Sequence, residues 1–557
     1  MKKVIAILLT TMMILATLVA CAGPYDAPVG GADSQPEQPG QAGGQPSGET
    51  QQPEDDPPEQ ADGVVESLVI AITRDENTLT PFTYVTGTPG LDVLRLVYDS
   101  LFAFDIEGNV IPWMVSDYNV DSESLVFTMT LYDGQYWHDG VPLTAEDVRF
   151  TFEYMQTVAH TRWPPIANQI ENIEVDDNVI TMTLTQSNPD FVRTGLADMP
   201  IVPRHIFEGV EDPSAFDGAT IGSSMFRLTE YVIGQYYVFE AFEGYFRGTP
   251  TVSRINMPIM TDAAAVTQAL IAGQVSAGTN NLGPETFDVF RAAPGLDILS
   301  GRGFAPVMIK FNCEHEILSQ AGFRRAIAYA LDIEAMMNTI ALGYATLGLP
   351  GFTTIDEPGA RRYVFDPDVA NTMLDDLGYT ERDGNGIRLA DGEPINLNIL
   401  APSGNAIRIR IAEFVQEYLE AIGIGVTVVT MEFDTLSGIV WGEEDFDMAV
   451  WGWSAPVRLD PTALFRLGAT EGNVNVARLS DPQFDELADA FIADPTPEGR
   501  ARISAQMQEL IADLAPFINL WYADMNFAVN IDDFDGWVLH SGPNIGGGAV
   551  NRFSFLP

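Results

Sequence analysis

Residues 137–148 read WHDGVPLTAEDV, and this stretch holds the most specific local pattern of the chain. Its second half predicts the start of a helix. Thr144 is followed three residues later by Asp147, which resembles a capping box with Asp in place of the usual Glu or Gln. Apolar residues then recur on one helical face as far as Met155. The stretch therefore predicts a capped helix that packs one apolar face against a core.

Strand and helix signals alternate on both sides of this stretch. Period-two alternation predicts half-buried strands at Val126–Leu131 and Val179–Leu184, and residues 66–72 are a further strand candidate. In the second half, capping residues, first-turn prolines and apolar faces predict helices that begin near Asp366, Ile407, Asp481 and Thr496. Alternating helices and strands are typical of α/β lobes, and no internal repeat of about 20–50 residues is visible.

The length and charge of the chain exclude several classes of protein. It has 557 residues, more than one domain usually contains, so more than one lobe is expected. Hydrophobic residues make up 46% of it, which is enough to bury a large core. The formal net charge is −50, from 28 basic and 78 acidic residues. Nucleic-acid binding is therefore not expected, because it needs a basic surface.

The N-terminus carries the signals of export. Lys2 and Lys3 precede the apolar run Val4–Ala20, which is followed by Cys21. The ending Leu-Val-Ala-Cys resembles the bacterial lipobox, in which the cysteine is lipidated and becomes the mature N-terminus. A short transmembrane anchor is the alternative interpretation, since 17 apolar residues are near the lower limit of a membrane span. We predict that residues 1–21 are a lipoprotein signal peptide and that Cys21 is the lipidation site.

The next segment, residues 22–63, is rich in Pro, Gly, Gln and acidic residues and contains no Lys or Arg. Such a segment cannot bury enough apolar surface to offset the entropy of ordering it. It is predicted to be a disordered tether, with a partner-binding tail as the alternative. Directly after a lipidated cysteine, a spacer that holds the following domain away from the membrane is the favoured interpretation.

The sequence contains no recognisable catalytic or metal-binding motif. None of its five histidines lies in an HExxH-type cluster, and no GxSxG, Walker A or GxGxxG pattern has a suitable strand-to-helix context. Asp383–Gly386 begins like a calcium loop, but Pro394 occupies the position that needs a bidentate Glu. Cys313 has no activating base near it in sequence. We expect no enzyme activity, cofactor or metal, although two acids could still form an acid–base pair in space.

Aromatic residues are the better candidates for a binding site. Trp451 and Trp453 flank a glycine, and Ser454 follows them, a composition that suggests a loop. A tryptophan on a loop can form a ligand wall, because its large rigid surface is buried at low entropic cost. Trp521 and Tyr522 form a second aromatic pair nearer the C-terminus. Core packing is the alternative for each of these residues.

Several segments together resemble the family 5 extracellular solute-binding proteins, the peptide, opine and nickel receptors of ABC importers. The resemblance runs from about residue 66 to residue 540, and its most specific part is the stretch 137–148, which resembles WHDGxPLTAEDV. The other segments are Thr78–Pro81 (TLNP), Val97–Leu101 (YEGL), Tyr245–Pro250 (YWRGxP), Phe323–Asp332 (VRxAIAYAID) and Gly452–Pro461 (GW…DP). They occur in the order expected for the family.

The resemblance implies an α/β fold of the periplasmic-binding-protein type II, in which two lobes joined by two crossovers close on a solute. By position, residues 64–300 and 524–557 would form lobe I, and residues 301–523 would form lobe II. Lobe I would carry an extra subdomain at residues 110–200 that contains the WHDG segment. That segment would be a signature of the fold, so His138 would not be a metal ligand.

In peptide receptors of this family, the ligand backbone pairs with extended protein segments. The resemblance places one such segment at Tyr84–Leu91, where glycines allow close approach; an ordinary surface loop is the alternative. The loop around Trp453 would bind the peptide ammonium through an Asp three residues later, but Pro456 stands there, so Asp460 would have to replace it. The predicted ligand-binding residues are Tyr84, Thr88, Gly90, Trp451, Trp453, Ser454, Asp460, Trp521 and Tyr522.

The function implied by the resemblance is an extracytoplasmic receptor of an ABC importer, for peptides. It would be a monomer held at the cell membrane by its N-terminal lipid, and it would deliver solute to permease subunits that work with a cytoplasmic ATPase. An oligosaccharide or another non-peptide solute is the first alternative; nickel is disfavoured, since no histidine lies near Trp453. A cell-surface hydrolase or a structural protein is the alternative from another class.

Overall fold

A computed structural model describes residues 64–557, except 85–87, 122, 161, 352–356, 443–445, 453–474, 476 and 541–547, and except the side chains of residues 88, 89, 434 and 497. The predicted signal peptide with Cys21, the predicted tether, and the predicted site residues Trp453, Ser454 and Asp460 lie outside the described residues. Within the described part, no helix is both long enough and apolar enough to cross a membrane.

The elements of the described part are numbered in chain order. The strands are β1 Leu68–Ala71, β2 Phe102–Phe104, β3 Val110–Pro112, β4 Val115–Val120, β5 Val126–Leu131, β6 Ile170–Asp176, β7 Val179–Leu184, β8 Phe226–Val232, β9 Tyr236–Ala241, β10 Arg254–Pro258, β11 Ala277–Gly278, β12 Leu296–Gly301, β13 Pro306–Phe311, β14 Ala345–Leu347, β15 Leu389–Ala390, β16 Glu393–Pro394, β17 Asn396–Pro402, β18 Gly425–Met431, β19 Met448–Gly452, β20 Phe517–Ala523 and β21 Met525–Asn530. The α-helices are α1 Thr88–Val97, α2 Ala145–Met155, α3 Pro164–Ala167, α4 Arg204–Phe207, α5 Ala263–Ile271, α6 Phe287–Ala292, α7 Ala321–Ala330, α8 Ile333–Ile340, α9 Pro367–Asp376, α10 Ala406–Ala421, α11 Phe433–Trp441, α12 Pro482–Ala493, α13 Pro497–Leu514 and α14 Arg552–Phe555.

Strands from the first part and the end of the chain form a seven-stranded sheet. We call this sheet, together with the elements packed against it, lobe I. Its order is β12-β21-β11-β1-β10-β9-β8. β1 runs parallel to β10 and β11, and β21 runs antiparallel to β11 and β12. The LVIA run of β1 is apolar throughout because both of its faces are covered: Ile70 lies in the main core of the lobe and Ala71 in a smaller core on the other face.

A four-stranded antiparallel sheet of order β4-β5-β7-β6 lies within residues 115–184. The predicted alternating strands are confirmed as β5 and β7, in which every second residue is buried. Helix α2 follows the WHDG segment and begins with the predicted capping box, since the Asp147 side chain accepts a hydrogen bond from the Thr144 N–H at 2.8 Å. This helix packs against β6 and β7, and the helix and both strands lie where the local signals of the sequence predict them.

The first residues of the WHDG segment stabilise the fold from inside. Trp137 is fully buried. His138 is also buried, and its Nδ1 accepts from the Gly222 N–H at 3.2 Å while its Nε2 donates to the Ser224 carbonyl at 2.8 Å. Burial lowers the pKa of His138 to about 4, so the ring is neutral near pH 7. His138 therefore joins two distant parts of the chain.

The second sheet has six strands in the order β14-β20-β13-β19-β17-β18, and we call its surroundings lobe II. β17 runs parallel to β18 and β19, whereas β13 runs antiparallel to β19 and β20. Helices cover both faces: one core contains residues of α7 and α10, and the other contains residues of α12 and α13. Two α/β lobes are thus present, as the alternation of signals predicts.

The chain passes between the two sheets twice. The first passage lies between Gly301 at the end of β12 and Pro306 at the start of β13, and the second between Ala523 and Met525. The predicted boundaries near residues 300 and 523 are close to these passages. Which residues move together as a lobe stays a prediction.

Local signals in the second half of the chain are also confirmed. The Asp366 side chain accepts from the N–H groups of the first turn of α9, and Asp481 and Thr496 cap α12 and α13 in the same way. Asp383–Gly386 forms a tight turn, in which the Asp383 carboxylate accepts from the N–H groups of Asn385 and Ile387. Each of these features depends on neighbours within about five residues along the chain, which is why the sequence predicts them.

Candidate functional site

In both sheets, the carboxyl ends of parallel strands lie at the edge near the two passages. In lobe I, the carboxyl ends of β1 and β11 lie beside the start of β21, since the Leu282 N–H after β11 bonds the Asn526 carbonyl at 2.8 Å. In lobe II, the carboxyl end of β19 lies beside the start of β13, where Gly452 pairs with Val307. Ligands of open α/β sheets bind outside the carboxyl ends of parallel strands. The cleft between these two edges is therefore the candidate site.

On the lobe I side, a carboxylate is held in place just after β1. Asp75 accepts hydrogen bonds from the hydroxyls of Tyr237 at 2.6 Å and Tyr231 at 2.8 Å, and from the Gly234 N–H at 2.6 Å. Burial opposes ionisation of Asp75, but these hydrogen bonds outweigh it and lower its pKa. The result is an ionised, oriented carboxylate at the cleft edge of the sheet.

The predicted residues Tyr84 and Gly90 lie near a second acid of the same segment. Glu76 is buried, and a Cβ on Gly90 would overlap the end of its carboxylate, so a larger residue in the first turn of α1 requires the Glu76 side chain to shift. Tyr84 packs beside Trp163, with ring centroids 6.3 Å apart, and burial raises its pKa to about 12. The position of Thr88 is the first residue of α1. Their contact with a ligand stays a prediction.

Several buried polar atoms on the lobe I side have no hydrogen-bond partner within the described part of the chain. Among them are the Tyr84 hydroxyl, the Asn280 Oδ1 just after β11 and the Asn526 Oδ1 in β21. An unpaired buried donor or acceptor costs about 1–3 kcal/mol, a cost that a hydrogen bond to a solute or to water would remove.

On the lobe II side, Arg408 stands in the first turn of α10. A Cβ on Gly452 would lie 3.0 Å from its Nη2 and 3.1 Å from the Pro306 carbonyl, which places the guanidinium at the cleft edge of this sheet. Burial lowers the pKa of Arg408 below its usual value, and no acid or hydrogen-bond acceptor contacts its guanidinium within the described residues. The positive end of the helix dipole also disfavours a cation at this position. Within the described part of the chain, Arg408 is thus a cation without a compensating acid.

The predicted aromatic residues lie at the same end of the lobe II sheet but do not form one wall. Trp451 in β19 pairs with Met308, and Trp521 in β20 pairs with Val307. Because adjacent residues of a strand face opposite sides, the two tryptophans belong to different cores. Tyr522 follows Trp521, and all three side chains are buried. Contact of Trp451, Trp521 and Tyr522 with a solute stays a prediction.

Trp451 is nevertheless connected to the cleft edge. Its ring stacks on Phe433, the first residue of α11, with centroids 6.0 Å apart, and the Phe433 side chain is half exposed. Lys310 lies 5.6 Å from the ring centroid of Trp451, and burial lowers the pKa of this lysine to about 7. The exposed phenyl ring offers an apolar surface just after the carboxyl end of β18.

Two groups of contacts join the lobes on either side of the cleft. Near the passages, Arg291 Nη2 donates to the Tyr344 hydroxyl at 3.0 Å, and the ring of Phe287 lies 4.6 Å from that of Tyr344. At the other side, Arg500 Nη2 in α13 donates to the Ser187 carbonyl, which follows β7, at 3.1 Å. The lobes are therefore in contact in this structure.

The sequence did not single out Asp75, Arg408 or Arg500. Asp75 is separated from its tyrosine partners by more than 150 residues, and no local pattern predicts such a contact. Arg408 did leave a signal that could have been used: a cation in the first turn of a helix is unfavourable unless something else requires it. The described residues contain no group of three or more His, Cys, Asp or Glu side chains that could hold a metal.

Two α/β lobes, joined by two passages and facing each other across the carboxyl ends of their strands, define the two-lobed class of solute-binding proteins. Residues 109–475 match the model of the bacterial extracellular solute-binding proteins, family 5 Middle. The chain belongs to this family, as the motifs predict. The protein is therefore an extracytoplasmic solute-binding receptor, and the α/β two-lobed fold is confirmed.

Known relatives agree over most of the chain. It is 25% identical over 486 residues to the oligopeptide-binding protein AppA of Bacillus subtilis, covering 84% of this chain and 88% of AppA. The structure of AppA with a nonapeptide has a TM-score of 0.69 to this protein, at 23% identity, and the match covers 84% of this chain and 95% of AppA.

Two further structures with the same fold contain other ligands. NikA of Brucella suis in complex with Fe(III)-EDTA has a TM-score of 0.76, at 20% identity, covering 88% of this chain and 99% of NikA. A mannohexaose-bound periplasmic oligopeptide-binding protein of Thermotoga maritima has a TM-score of 0.67, at 23% identity. The match covers 84% of this chain and 92% of the Thermotoga protein. The fold alone thus leaves the solute class open.

Proposed function

We propose that this protein is the peptide receptor of an ABC importer and that it binds the peptide in the cleft between its lobes. The observation that carries the proposal is Arg408, a guanidinium at the cleft edge of lobe II that no acid contacts within the described residues, in a chain of net charge −50. A peptide with a free C-terminal carboxylate supplies the missing partner, and charge-assisted hydrogen bonds of this kind are the strong ones.

The lobe I side of the cleft supports the same solute. The unpaired Asn280 and Asn526 amide oxygens accept from N–H groups, and the Tyr84 hydroxyl can donate or accept. A peptide backbone offers N–H and carbonyl groups along its whole length, so it can satisfy several of these atoms at once. The named peptide-binding relative AppA is in line with this chemistry.

A second candidate solute is an oligosaccharide. The half-exposed ring of Phe433, stacked on Trp451, is a flat apolar surface of the kind on which sugar rings pack. The mannohexaose complex of a protein with this fold makes the alternative concrete. Sugars carry no carboxylate for Arg408, so the two candidates differ in their dependence on that residue.

The wider assignment follows from the proposed receptor role. The protein would be a monomer, lipidated at Cys21 and held at the outer face of the cell membrane, where it passes its solute to permease subunits that work with a cytoplasmic ATPase. It would bind and release solute without chemical change and need no cofactor. The predicted contacts of Trp453, Ser454 and Asp460 belong to the same proposal.

The decisive experiment removes the charge at either end of the proposed contact. Binding of random-sequence nonapeptides with free or amidated C-termini is measured by calorimetry for the wild type, Arg408→Gln and Arg410→Gln. Arg410 is the matched control, because it lies on the same helix but is exposed and paired with Glu413. Thermal stability of each variant is recorded alongside.

Amidation is expected to weaken binding to the wild type and to Arg410→Gln by about 10–100-fold, corresponding to about 1.5–3 kcal/mol for a hydrogen bond to a charged group. It should have little further effect on Arg408→Gln, because the two changes remove the same interaction. Equal losses in all three proteins would contradict the proposed role of Arg408. No binding of any peptide, together with binding of oligosaccharides, would favour the second candidate.

A further inference from the structure

The two passages between the lobes lie side by side in one antiparallel ribbon. In lobe I, β12 pairs with β21 as far as Gly301, which lies opposite Met525. In lobe II, β13 pairs with β20 from Pro306 onward, and Pro306 lies opposite Tyr522. The same two stretches of chain are therefore paired on both sides of the joint between the lobes.

Between these two pairs, the passages differ in length. The first consists of residues 302–305, which belong to no strand, and the second consists of Ala523 and Asp524. Regular antiparallel pairing matches the two chains residue by residue, so unequal lengths interrupt the ladder at this point. A few residues at the ends of strands are the usual place where backbone torsions absorb a change in lobe orientation.

The two passages touch at Gly303, which is buried. A Cβ on this glycine would lie 1.8 Å from the Ala523 carbonyl oxygen, and such contacts essentially do not occur below 3.0 Å. The backbone of Gly303 lies outside the left-handed region, so alanine is excluded by lack of space and not by conformation. The obstacle is a backbone atom of a residue that also pairs with β14, so it cannot turn aside as a side chain would. Alanine would push the two passages more than 1 Å apart.

The contacts between the lobes depend on how the passages lie. The Asp524 N–H donates to the carbonyl of Tyr344 in lobe II at 3.2 Å, and the Tyr344 ring lies 4.6 Å from the ring of Phe287 in lobe I. Farther from the joint, Arg500 donates to the Ser187 carbonyl at 3.1 Å. A displacement at the joint grows with distance from it, so the contact of Arg500 is the more sensitive of the two.

We infer that Gly303 is the positioning residue of lobe closure. Because it has no side chain, the passages can touch, and the lobes can then reach the arrangement in which Arg500 meets Ser187. A side chain at this position holds the passages apart and favours separated lobes. Gly303 acts through the joint and not on the solute, so the inference goes beyond the proposed peptide and holds for any solute that the cleft binds.

The test measures the distance between the lobes by double electron–electron resonance on residues 22–557. Spin labels are attached to cysteines in the double variant Gln186→Cys/Glu498→Cys. Both positions are exposed, and they lie within two residues of Ser187 and Arg500, so their separation reports that contact. Cys313→Ala removes the other thiol of this stretch of chain.

The labelled protein is compared with the same protein carrying Gly303→Ala or Gly222→Ala. Gly222 is the matched control, because a Cβ there would lie 2.0 Å from the Val97 carbonyl oxygen, a clash of the same kind inside lobe I. Distances are recorded without solute and with saturating random-sequence nonapeptides. Thermal unfolding of each variant is recorded alongside.

The protein without either glycine substitution should show a short-distance population in at least one of these conditions. Gly303→Ala should lower the ratio of short to long distances by about tenfold or more, since the bond from Arg500 to Ser187 is lost. Gly222→Ala should keep the ratio, although both substitutions lower the melting temperature. If the variants differ in this way but the nonapeptides change nothing, the inference is supported and the proposed peptide binding is contradicted.

Three results would overturn the inference: an unchanged ratio in Gly303→Ala, an equal loss in Gly222→Ala, or no short-distance population in any sample. A second variant tests the same contact without adding a side chain, and it serves if Gly303→Ala does not fold. One glycine inserted between Ala523 and Asp524 lengthens the shorter passage and releases the Ala523 carbonyl from Gly303. It should broaden the distance distribution and lower the short-distance fraction, and an unchanged distribution would contradict the role of this contact.

Discussion

Arg500 is expected to control how readily the two lobes close. The side chain is 8% exposed, and its guanidinium donates both within lobe II, to the Asp494 carbonyl at 2.9 Å, and across to lobe I, to the Ser187 carbonyl at 3.1 Å. It also lies over the ring of Phe491, 5.0 Å from the centroid. Substitution by glutamine removes the charge and shortens the side chain, so the bond to Ser187 is lost.

The size of the effect follows from that one bond. A hydrogen bond from a charged donor contributes about 1.5–3 kcal/mol, and the bond from Arg500 to Ser187 crosses to lobe I, so it is lost when the lobes separate. Arg500→Gln should therefore disfavour closure by that amount and weaken solute binding by about 10–150-fold, since binding requires closure. The contacts of Arg500 within lobe II are present in both the open and the closed form. They therefore do not change the free-energy difference between the two forms.

The assay compares solute affinity by calorimetry with lobe closure by small-angle X-ray scattering. Arg502→Gln is the control, because Arg502 lies on the same helix, its side chain is 69% exposed and it forms a 3.7 Å ion pair with Asp494 inside lobe II. Arg502→Gln should bind as the wild type does. If Arg500→Gln folds normally and keeps wild-type affinity, the contact with Ser187 does not stabilise the closed form and the reasoning fails.

Two further predictions concern stability. Burial lowers the pKa of His138 to about 4, against about 6.5 in the unfolded chain, so its contribution is complete above pH 6.5 and is lost as the pH falls toward 4. Between pH 7.5 and pH 4.5 the wild type should lose about 2–3 kcal/mol relative to His138→Gln in denaturant titrations; a pH-independent difference would contradict the burial of a neutral ring. Gly90→Ala, whose Cβ would overlap the Glu76 carboxylate, should cost about 1–3 kcal/mol, whereas Gly404→Ala, with open space around it, should be near neutral. Thermal unfolding checks both glycine variants, and equal melting temperatures for Gly90→Ala and Gly404→Ala would show that the Glu76 side chain moves away freely.

The sequence predicted the features that depend on near neighbours. The capping box at Thr144, the helix starts after Asp366 and Asp481 and the turn at Asp383 are all bonded to residues within a few positions, and all are present. The family resemblance then supplied the two-lobed arrangement, which the fold confirms. Together these account for the fold class and for the order of the elements in the described part.

The candidate site was less predictable because its contacts are distant in sequence. Asp75 is oriented by tyrosines from β8 and β9, and Arg500 reaches lobe I from α13. The sequence predicts Trp451 and Trp521 as separate candidates, and strand β13 lies between them, with a register that turns the two rings to opposite faces. Strand order and register decide which side chains meet, and neither can be read from the chain alone.

The central claim is that this protein captures a peptide by closing two lobes upon it and releases it unchanged. Small-angle X-ray scattering of residues 22–557, with and without a saturating nonapeptide that calorimetry shows to bind, tests it most directly. The account predicts a smaller radius of gyration with the peptide and a smaller change for Arg500→Gln at the same peptide concentration. An unchanged radius of gyration with the peptide bound, in a protein that is open without it, would contradict the account.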